Sequence, residues 1–600
     1  MASFLLECLP PKCDYITYLT IIESHLSPEI LPTLNEILQD QELTQNIGWD
    51  LIHLLLPIPN SVPCLTTIAK YGNPREVILK ATEALQQLVQ LDSEQGKVEE
   101  KTAIGPTSDE KFCTLINLLS ILHPRIKTKH PSRFLSTTLE SILATYRPSD
   151  SATVAVISFL HAISGDKKLS LIDRFSTVNL HTSSKDEESL APDPEAQDED
   201  AQEEELQIKL LKSFITHIIE QYVAENPLDW AARLFEHFHP EKVIEGRSLG
   251  KSFREDPILQ AREKTFSQLV DVCRNLGLMQ YNTLFAIFTA KDILLAEQNY
   301  PGYDSYSEEI PPSRVGSLLL AAYSIFYSIL FKSQVSLPQL TIFPHHAKMV
   351  KIYVRFQGPD LIEGSLLGII DAILLIGLWL ESENKFVAGP LEDEEFLEHL
   401  QWLSYLSLKT PSPSLRYVAH MLSSSILHAH PVDRLRLTFI KDTLENCPYE
   451  TLKASAVSWL KEELITAHER NSNGVFASPA ALAATQPFIF PSTSGMLEAD
   501  NNELVEEINA SYPFHMAVLN FFVFLSGNKY LKFLPTRMLN VAEELYIRPL
   551  KTACERLLDL ESKNPKPDFD GTQVELQLLE ERLNLCLAGI SNLNKSKDEI

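Results

Sequence analysis

The clearest hydrophobic pattern lies in residues 411–468, where apolar positions recur with the 3.6-residue period of an amphipathic helix. The pattern is interrupted at His430-Pro431 and again at Cys447-Pro448, and a proline at the first position of a helix costs no hydrogen bond. Three helices joined by such short breaks must fold back on one another to bury their apolar faces. Two of them take up about 35–40 residues, close to the period of HEAT-type repeats. The pattern predicts an α-solenoid.

The same alternation of helical stripes and short breaks continues along most of the chain. It predicts helices at 15–25, 28–39, 48–56, 62–71, 75–91, 109–122, 131–146, 150–164, 206–224, 227–238, 256–276, 278–297, 313–333, 360–381, 393–409, 503–526, 536–562 and 572–590. Residues 349–356 alternate as a short strand would, but without a second strand to pair with we favour a helix or an extended linker there. The predicted fold class is all-α, a HEAT/armadillo-like α-solenoid superhelix.

Two stretches depart from this pattern. Residues 183–205 are rich in Asp and Glu and have almost nothing to bury, so we expect them to be disordered. They divide the chain into an N-terminal helical-repeat arm (1–182), an acidic linker (183–205) and a C-terminal helical-repeat arm (206–600). Residues 470–501 are rich in Ser, Asn, Ala and Pro, which predicts a long loop within the second arm.

The charge balance narrows the choice of partner. A net charge of −28 with a pI near 5.1 argues against a nucleic-acid groove or an anionic membrane surface, and it suits a basic protein partner. The apolar runs 316–331 and 364–380 fall short of the roughly 20 clean apolar residues of a membrane span, and the second contains Asp371. We expect both to be buried helices. The N-terminus has no basic region of a signal peptide, and the expected location is the cytoplasm, with the nucleus left open.

Motifs that would carry chemistry are weak. Residues 246–252 read Gly-Arg-Ser-Leu-Gly-Lys-Ser, with three residues between the glycines where a phosphate-binding loop has four, and no strand precedes them. The spacing of paired histidines points them to different sides of a helix, so we interpret them as solvated helix ends: His237 and His239, His345 and His346, and His428 and His430. No catalytic motif set is present. We predict no enzymatic activity, no cofactor and no metal.

The cysteines and one basic patch leave alternatives open. The 8 cysteines are scattered without a CxxC motif, which predicts reduced thiols. Cys8 and Cys13 are interpreted as half-buried structural thiols, with a redox-responsive pair as the alternative. The most basic stretch is either a solvated turn or a docking site for an acidic partner, and its residues are Arg125, Lys127, Lys129 and Arg133, with His130 among them.

Two segments near the N-terminus resemble the signature of a known family. These are residues 46–57, with the word Gly48-Trp49-Asp50, and residues 71–79, with the word Asn73-Pro74-Arg75-Glu76. Both resemble the N-terminal signature of the YAP-binding/glomulin family, most closely its fungal branch. Residues 413–464 resemble the C-terminal repeats of that family. The resemblance covers the chain apart from 183–205 and 470–501, and it implies HEAT-like repeats without enzymatic activity.

The resemblance also implies partners. Fungal members bind a bZIP stress-response transcription factor and support its peroxide-induced oxidation and nuclear accumulation. We therefore expect a scaffold that holds such a factor on an acidic surface, while a thiol peroxidase partner supplies the redox chemistry. The alternative follows glomulin, which uses its C-terminal repeats to mask the RING subunit of cullin-RING ubiquitin ligases. The acidic balance favours the first function, because the basic region of a bZIP protein is cationic.

Overall fold

The computed structural model describes residues 14–95, 105–164, 190–197, 202–280, 312–332, 337–355, 367–470, 473–527, 529–563 and 570–598. Within these ranges the backbone forms helices and connecting turns without a β-strand, and one isolated bridge joins Phe343 and Val387. The predicted all-α class is confirmed. The predicted helix at 278–297 falls almost entirely outside the described residues.

The chain forms two compact units. The first comprises Met1–Leu340 and Arg355–Trp379, and the second comprises Thr341–Val354 and Leu380–Ile600. The division between these units does not fall at residues 183–205, the predicted boundary between the two arms.

The first unit is a two-layer array of packed helices. They are α1 (Tyr15–His25), α2 (Leu31–Ile37), α3 (Gln41–Leu55), α4 (Val62–Tyr71), α5 (Pro74–Gln95), α6 (Ser108–Leu122), α7 (Pro131–Thr145), α8 (Asp150–Ser164), α9 (Glu203–Glu225), α10 (Trp230–Phe238), α11 (Leu249–Glu255), α12 (Pro257–Asn275) and α13 (Arg314–Leu330). One layer runs α1–α3–α5–α7–α9–α13 through successive contacts, and the other runs α2–α4–α6–α8–α12. Alternate helices therefore stack on each other, which is the packing of helical repeats.

The second unit continues the helical pattern. Its helices are α14 (His345–Arg355), α16 (Asp393–Lys409), α17 (Pro413–Ala429), α18 (Asp433–Asn446), α19 (Glu450–Glu469), α20 (Pro479–Ile489), α21 (Asn501–Leu525), α22 (Met538–Ala542), α23 (Arg548–Lys563) and α24 (Asp570–Asp598). α15 (Leu367–Ser382) belongs to the first unit as far as Trp379. The three helices predicted within 411–468 are confirmed as α17, α18 and α19. Residues 349–355, which alternate as a short strand would, lie in α14.

Asp371 shows how a charged residue is accommodated in the apolar helix α15. Its two carboxylate oxygens accept hydrogen bonds from the backbone N–H groups of Trp230 (2.8 Å) and Ala231 (2.7 Å), at the start of α10. The first N–H groups of a helix have no partner within it, so a remote carboxylate satisfies them. Burial raises the pKa of Asp371 to about 7, although these two bonds act in the opposite direction. The run is a buried helix, as predicted.

The predicted loop at 470–501 is wrong over its central part, where α20 forms. Ser478 accepts a hydrogen bond from the N–H of Ala480, and Pro479 occupies the first turn. All five residues after Pro479 are alanine or leucine, which favour helix, and Ala481 and Leu482 are fully buried. Ser and Pro are typical of loops, but here Ser478 and Pro479 start a helix.

The predicted single helix at 536–562 is divided by a π-helical turn at Glu543–Ile547, between α22 and α23. Thr493 donates its N–H to the carbonyl of Leu545 (3.0 Å) and its hydroxyl to the carbonyl of Tyr546 (2.9 Å). Thr493, about fifty positions away in sequence, thus satisfies the carbonyls of the wider turn. The periodicity of apolar residues does not indicate such a distant partner.

One described helix, α21, is long and apolar enough to cross a membrane by length and composition alone. Its side chains Leu504, Ile508, Val518 and Phe522 are buried within the second unit. Such a helix is typical of a protein core as well as of a membrane span.

Candidate functional site

The two segments that resemble the family signature meet in space at the α3, α4 and α5 helices. A Cβ at Gly48 would lie 3.2 Å from Ile68, and a Cβ at Gly72 would lie 2.7 Å from the carbonyl oxygen of Ile68. The absence of a Cβ therefore allows the Ile68 side chain to pack on Gly48 and the Ile68 carbonyl to lie against Gly72. Asn73 accepts the N–H of Arg75 at 3.2 Å and so caps α5, with Pro74 at its first position.

This junction presents a group of side chains that we call the acidic face: Trp49, Asp50, Glu76, Lys80 and Glu195. Trp49 is half-buried on α3, and the ammonium of Lys80 on α5 lies 5.7 Å from the centroid of its ring. Glu76 is exposed and Asp50 is half-buried. An aromatic ring on the same helix as a carboxylate is a suitable contact for a cationic partner.

The pKa values of Asp50 and Glu76 are raised by partial burial, and that of Glu76 also by neighbouring negative charge. Partial burial raises the pKa of Glu76, and the charges of Glu195 and Asp50 raise it further. Partial burial also raises the pKa of Asp50, against the lowering influence of Lys80 and His53. The face therefore carries more negative charge than its own lysine compensates.

Glu195 reaches this face because residues 190–197 are bound to the first unit. Asp193 accepts hydrogen bonds from Nε of Arg75 (3.3 Å) and from the N–H of Lys127 (3.1 Å), and its side chain is fully buried. Nη1 of Arg75 bonds the Glu195 carboxylate at 2.8 Å. Main-chain bonds join Ala191 N to Lys70 O (3.1 Å) and Gln197 N to Lys127 O (2.8 Å).

Arg125 lies beneath this segment and is buried, with 5% of its surface exposed. Its guanidinium donates to the carbonyls of Ala69, Gly72 (2.8 Å) and Ala191 (3.0 Å). Ala69 and Gly72 lie at the C-terminal end of α4, where carbonyls have no helical partner and the helix dipole is negative. Burial lowers the pKa of Arg125 to about 10, and Asp193 opposes that shift.

The structure thus separates the members of the predicted basic patch. Arg125 is buried and its donors are used within the chain, so it is not part of an exposed docking surface. The side chains of Lys127, Lys129 and Arg133 are exposed, and a docking role for these three stays a prediction. Periodicity does not tell which basic residue of a turn enters the core.

The expectation that residues 183–205 are disordered is wrong for 190–197, which are bound as described, and for 203–205, which begin α9. The carboxylate of Glu203 accepts the N–H of Ser132 (3.0 Å) at the start of α7 and bonds Nδ1 of His130 (3.1 Å). Burial opposes ionisation of Glu203, but these bonds outweigh it and hold its pKa below the ordinary value. Residues 183–189 and 198–201 lie outside the described residues.

A second charged cluster lies in the second unit. Nδ1 of His428 on α17 lies 2.7 Å from Glu463 on α19, and its Nε2 lies 2.8 Å from Glu462. Nη2 of Arg436 on α18 bonds Glu463 at 2.8 Å. Burial alone would lower the pKa of His428, but the two carboxylates raise it to about 9. The cluster ties three consecutive helices together.

The histidines predicted to be solvated helix ends are thus partly misassigned. His428 is engaged by two carboxylates, and His346 is fully buried, with its Nδ1 3.3 Å from Nε2 of His399. Within the described residues, no three metal-ligating side chains lie together.

The phosphate-loop look-alike at 246–252 is occupied by a carboxylate of the chain itself. Glu236 accepts the hydroxyl of Ser248 (2.7 Å) and the N–H groups of Leu249 (2.7 Å) and Gly250 (2.9 Å), at the start of α11. The donors that would bind a phosphate are therefore used for capping.

The described thiols are not activated. Burial raises the pKa of Cys64 to about 11 and the pKa values of Cys554 and Cys586 to about 12. It also raises the pKa values of Cys113, Cys273 and Cys447. A thiol with a raised pKa is a poor nucleophile at neutral pH. Cys8 and Cys13, the candidate redox pair, lie outside the described residues.

Arrays of stacked helices with charged surfaces define a helical-repeat protein of the scaffold or regulator class. The chain belongs to the family described as "Uncharacterised protein family, YAP/Alf4/glomulin", whose model matches residues 4–582. This confirms the family resemblance. The "UPF0649 protein C1442.02" of Schizosaccharomyces pombe (strain 972 / ATCC 24843) is 32% identical to this chain over 150 residues. That match spans 22% of this chain and 24% of the length of the relative.

Proposed function

We propose that this chain is a non-enzymatic scaffold of the oxidative-stress response, which binds the basic region of a bZIP transcription factor and supports its oxidation and nuclear accumulation. The observation that carries the proposal is the acidic face, where the two signature words and Glu195 come together. The family membership supports the coarser part of this role, a helical scaffold or regulator.

The chemistry of the acidic face suits a cationic helix. The raised pKa values of Asp50 and Glu76 mean that their charged forms are disfavoured in the unbound protein. An arriving Lys or Arg favours the ionised carboxylates, so binding and carboxylate ionisation reinforce each other. Trp49 offers an aromatic surface to the aliphatic stems and cationic heads of the same side chains.

The redox step of this function is assigned to a partner, a thiol peroxidase. The raised pKa values of the six described cysteines support this assignment, because a relay requires a thiolate. The scaffold supplies proximity: it holds the factor and the peroxidase together, which raises the effective concentration of one for the other.

The test is affinity capture of the tagged chain, with and without peroxide, read by mass spectrometry. We expect a bZIP factor in the capture, enriched together with a thiol peroxidase after peroxide. The double variant Asp50→Lys/Glu76→Lys should lose the factor. The matched control is Glu506→Lys/Glu507→Lys, which changes the net charge equally at two exposed residues of α21 and should retain it.

Capture of a RING subunit of a cullin ligase in place of a basic-region factor would contradict the proposal and favour the alternative function. Equal loss of the factor in both variants would show that net charge, and not the acidic face, governs binding.

A further inference from the structure

Residues 190–197 lie on the first unit in the manner of a bound peptide. Their described flanks are Ser164, where α8 ends, and Gln202, just before α9. The segment is held through its main chain at both ends, by Ala191 N to Lys70 O (3.1 Å) and Gln197 N to Lys127 O (2.8 Å). Peptides that bind to protein surfaces use the same combination of main-chain bonds and side-chain anchors.

Two side chains anchor the segment, and they are spaced by two residues. Ala191 and Asp193 are each 5% exposed, whereas Pro192 and Pro194 are exposed. The Asp193 carboxylate also accepts the N–H of Glu195 at 3.0 Å, which shapes the peptide as a turn around the carboxylate. The recognised pattern is Ala-x-Asp-x-Glu.

The receptor for this pattern belongs to elements that do not depend on the segment. Arg75 stands in the first turn of α5, and two of the three carbonyls that bind Arg125, those of Ala69 and Gly72, belong to the end of α4 and not to the segment. Lys127 offers a backbone N–H and a carbonyl beside them. If the segment left, Arg75 would keep its bond to the carbonyl of Lys127 (3.3 Å), and both guanidinium groups would lose a partner in a chain whose net charge is −28.

The contacts of the segment are suited to exchange. Most of its residues are exposed, and its bonds to Arg75 are charge-assisted, so salt and competing carboxylates weaken them. Regions with few buried apolar contacts open at low free-energy cost.

We propose that Arg75, Arg125 and the main chain of Lys127 form a binding site for short acidic peptides of the pattern Ala-x-Asp-x-Glu, and that residues 190–197 are its tethered occupant. An acidic segment of a partner protein exchanges with this occupant. The site adjoins the acidic face, and Glu195 takes part in both, so release of the segment leaves Asp50 and Glu76 as the carboxylates of that face.

The test uses the full chain and a fluorescent peptide with the sequence of residues 189–200, followed by fluorescence anisotropy. In the wild-type chain the tethered segment competes at an effective concentration on the order of millimolar. Asp193→Ala, which weakens the occupant, should therefore strengthen peptide binding at least about tenfold. A second variant replaces residues 190–197 by eight Gly and Ser residues and should also bind the peptide more strongly than the wild type.

Adding Arg75→Ala to either variant should abolish binding, and a scrambled peptide of equal charge should not bind. Circular dichroism and the thermal midpoint verify that each chain is folded. The proposal is overturned if the released chains do not bind the peptide, if the scrambled peptide binds equally, or if Arg75→Ala has no effect. None of these results bears on capture of a basic partner by Asp50 and Glu76, so the two proposals fail separately.

Discussion

The charged cluster around Arg75 in the first unit and the one around His428 in the second unit contain similar groups but have different roles. In the first unit, Arg75 bonds Asp193 and Glu195, which lie 118 and 120 residues further along the chain. In the second unit, the carboxylates that bond His428 lie 34 and 35 residues away, two helices further on.

The two clusters differ in the sequence separation of their bonded residues. The contact in the first unit can be released, whereas the contact in the second unit is part of the fold. The second-unit cluster joins α17, α18 and α19, and it forms whenever these consecutive helices pack. The first-unit cluster forms only when residues 190–197 bind, and most of these residues are exposed. A charge cluster between neighbouring repeats therefore stabilises the array, whereas one that recruits a distant segment is suited to exchange.

The largest expected effect is that of Arg125→Met, which removes the donor for three carbonyls, those of Ala69, Gly72 and Ala191. Because Arg125 is buried, we expect the first unit to lose about 3–5 kcal/mol of unfolding free energy. Denaturant unfolding, with hydrogen exchange of α4 and α5 as the local probe, measures this loss. Lys129→Met changes an exposed residue of the same turn and should cost less than about 0.5 kcal/mol. A loss below about 1 kcal/mol for Arg125→Met would mean that the guanidinium is dispensable.

The second expected effect is a pH dependence of the second unit. The folded pKa of His428, about 9, lies above its ordinary value of 6.5. The stabilisation from its protonated form is therefore fully present below about pH 6.5 and is lost as the pH rises through about 9. We expect a loss on the order of 1–3 kcal/mol between pH 6.5 and pH 10.

His428→Gln should flatten the dependence of the unfolding free energy on pH. The difference in unfolding free energy between variant and wild type at each pH measures the contribution of the cluster of His428, Arg436, Glu462 and Glu463. Identical profiles for the variant and the wild type would show that the imidazolium contributes nothing to stability.

The smallest effect is expected for Asp193→Ala. Arg75 has 17% of its side chain exposed and can be hydrated once its partner is lost, so we expect a cost of about 1–2 kcal/mol, decreasing with salt. Hydrogen exchange at the amides of Ala191 and Gln197 should accelerate strongly, with α5 unchanged. If α5 also loses protection, the segment is an integral part of the fold and the contrast between the clusters fails.

Most helices could be predicted from the sequence because the apolar stripe of a helix is a local pattern. The features that were missed depend on distant partners. The binding of 190–197 requires Arg75 and Arg125, and its one local signal is weak: Leu190-Ala191-Pro192 is the sole run of three residues without a polar side chain in 183–205. The π-helical turn similarly depends on Thr493.

Only part of the acidic face could be predicted from the sequence. The words that contain Trp49, Asp50 and Glu76 could be recognised by resemblance, but their meeting in space depends on the packing of α3 against α5. Glu195 could not be assigned to that face at all, because nothing in an acidic, Pro-containing stretch indicates where it binds.

The most direct measurement for the central claim, that the acidic face binds a cationic partner, is the affinity of the purified chain for a fluorescent bZIP basic-region peptide as a function of salt. The account predicts binding that weakens as salt rises. It also predicts at least about a tenfold loss for Asp50→Lys/Glu76→Lys, and less than about a twofold change for Glu506→Lys/Glu507→Lys. Absence of binding at low salt, or equal losses in the two variants, would contradict it.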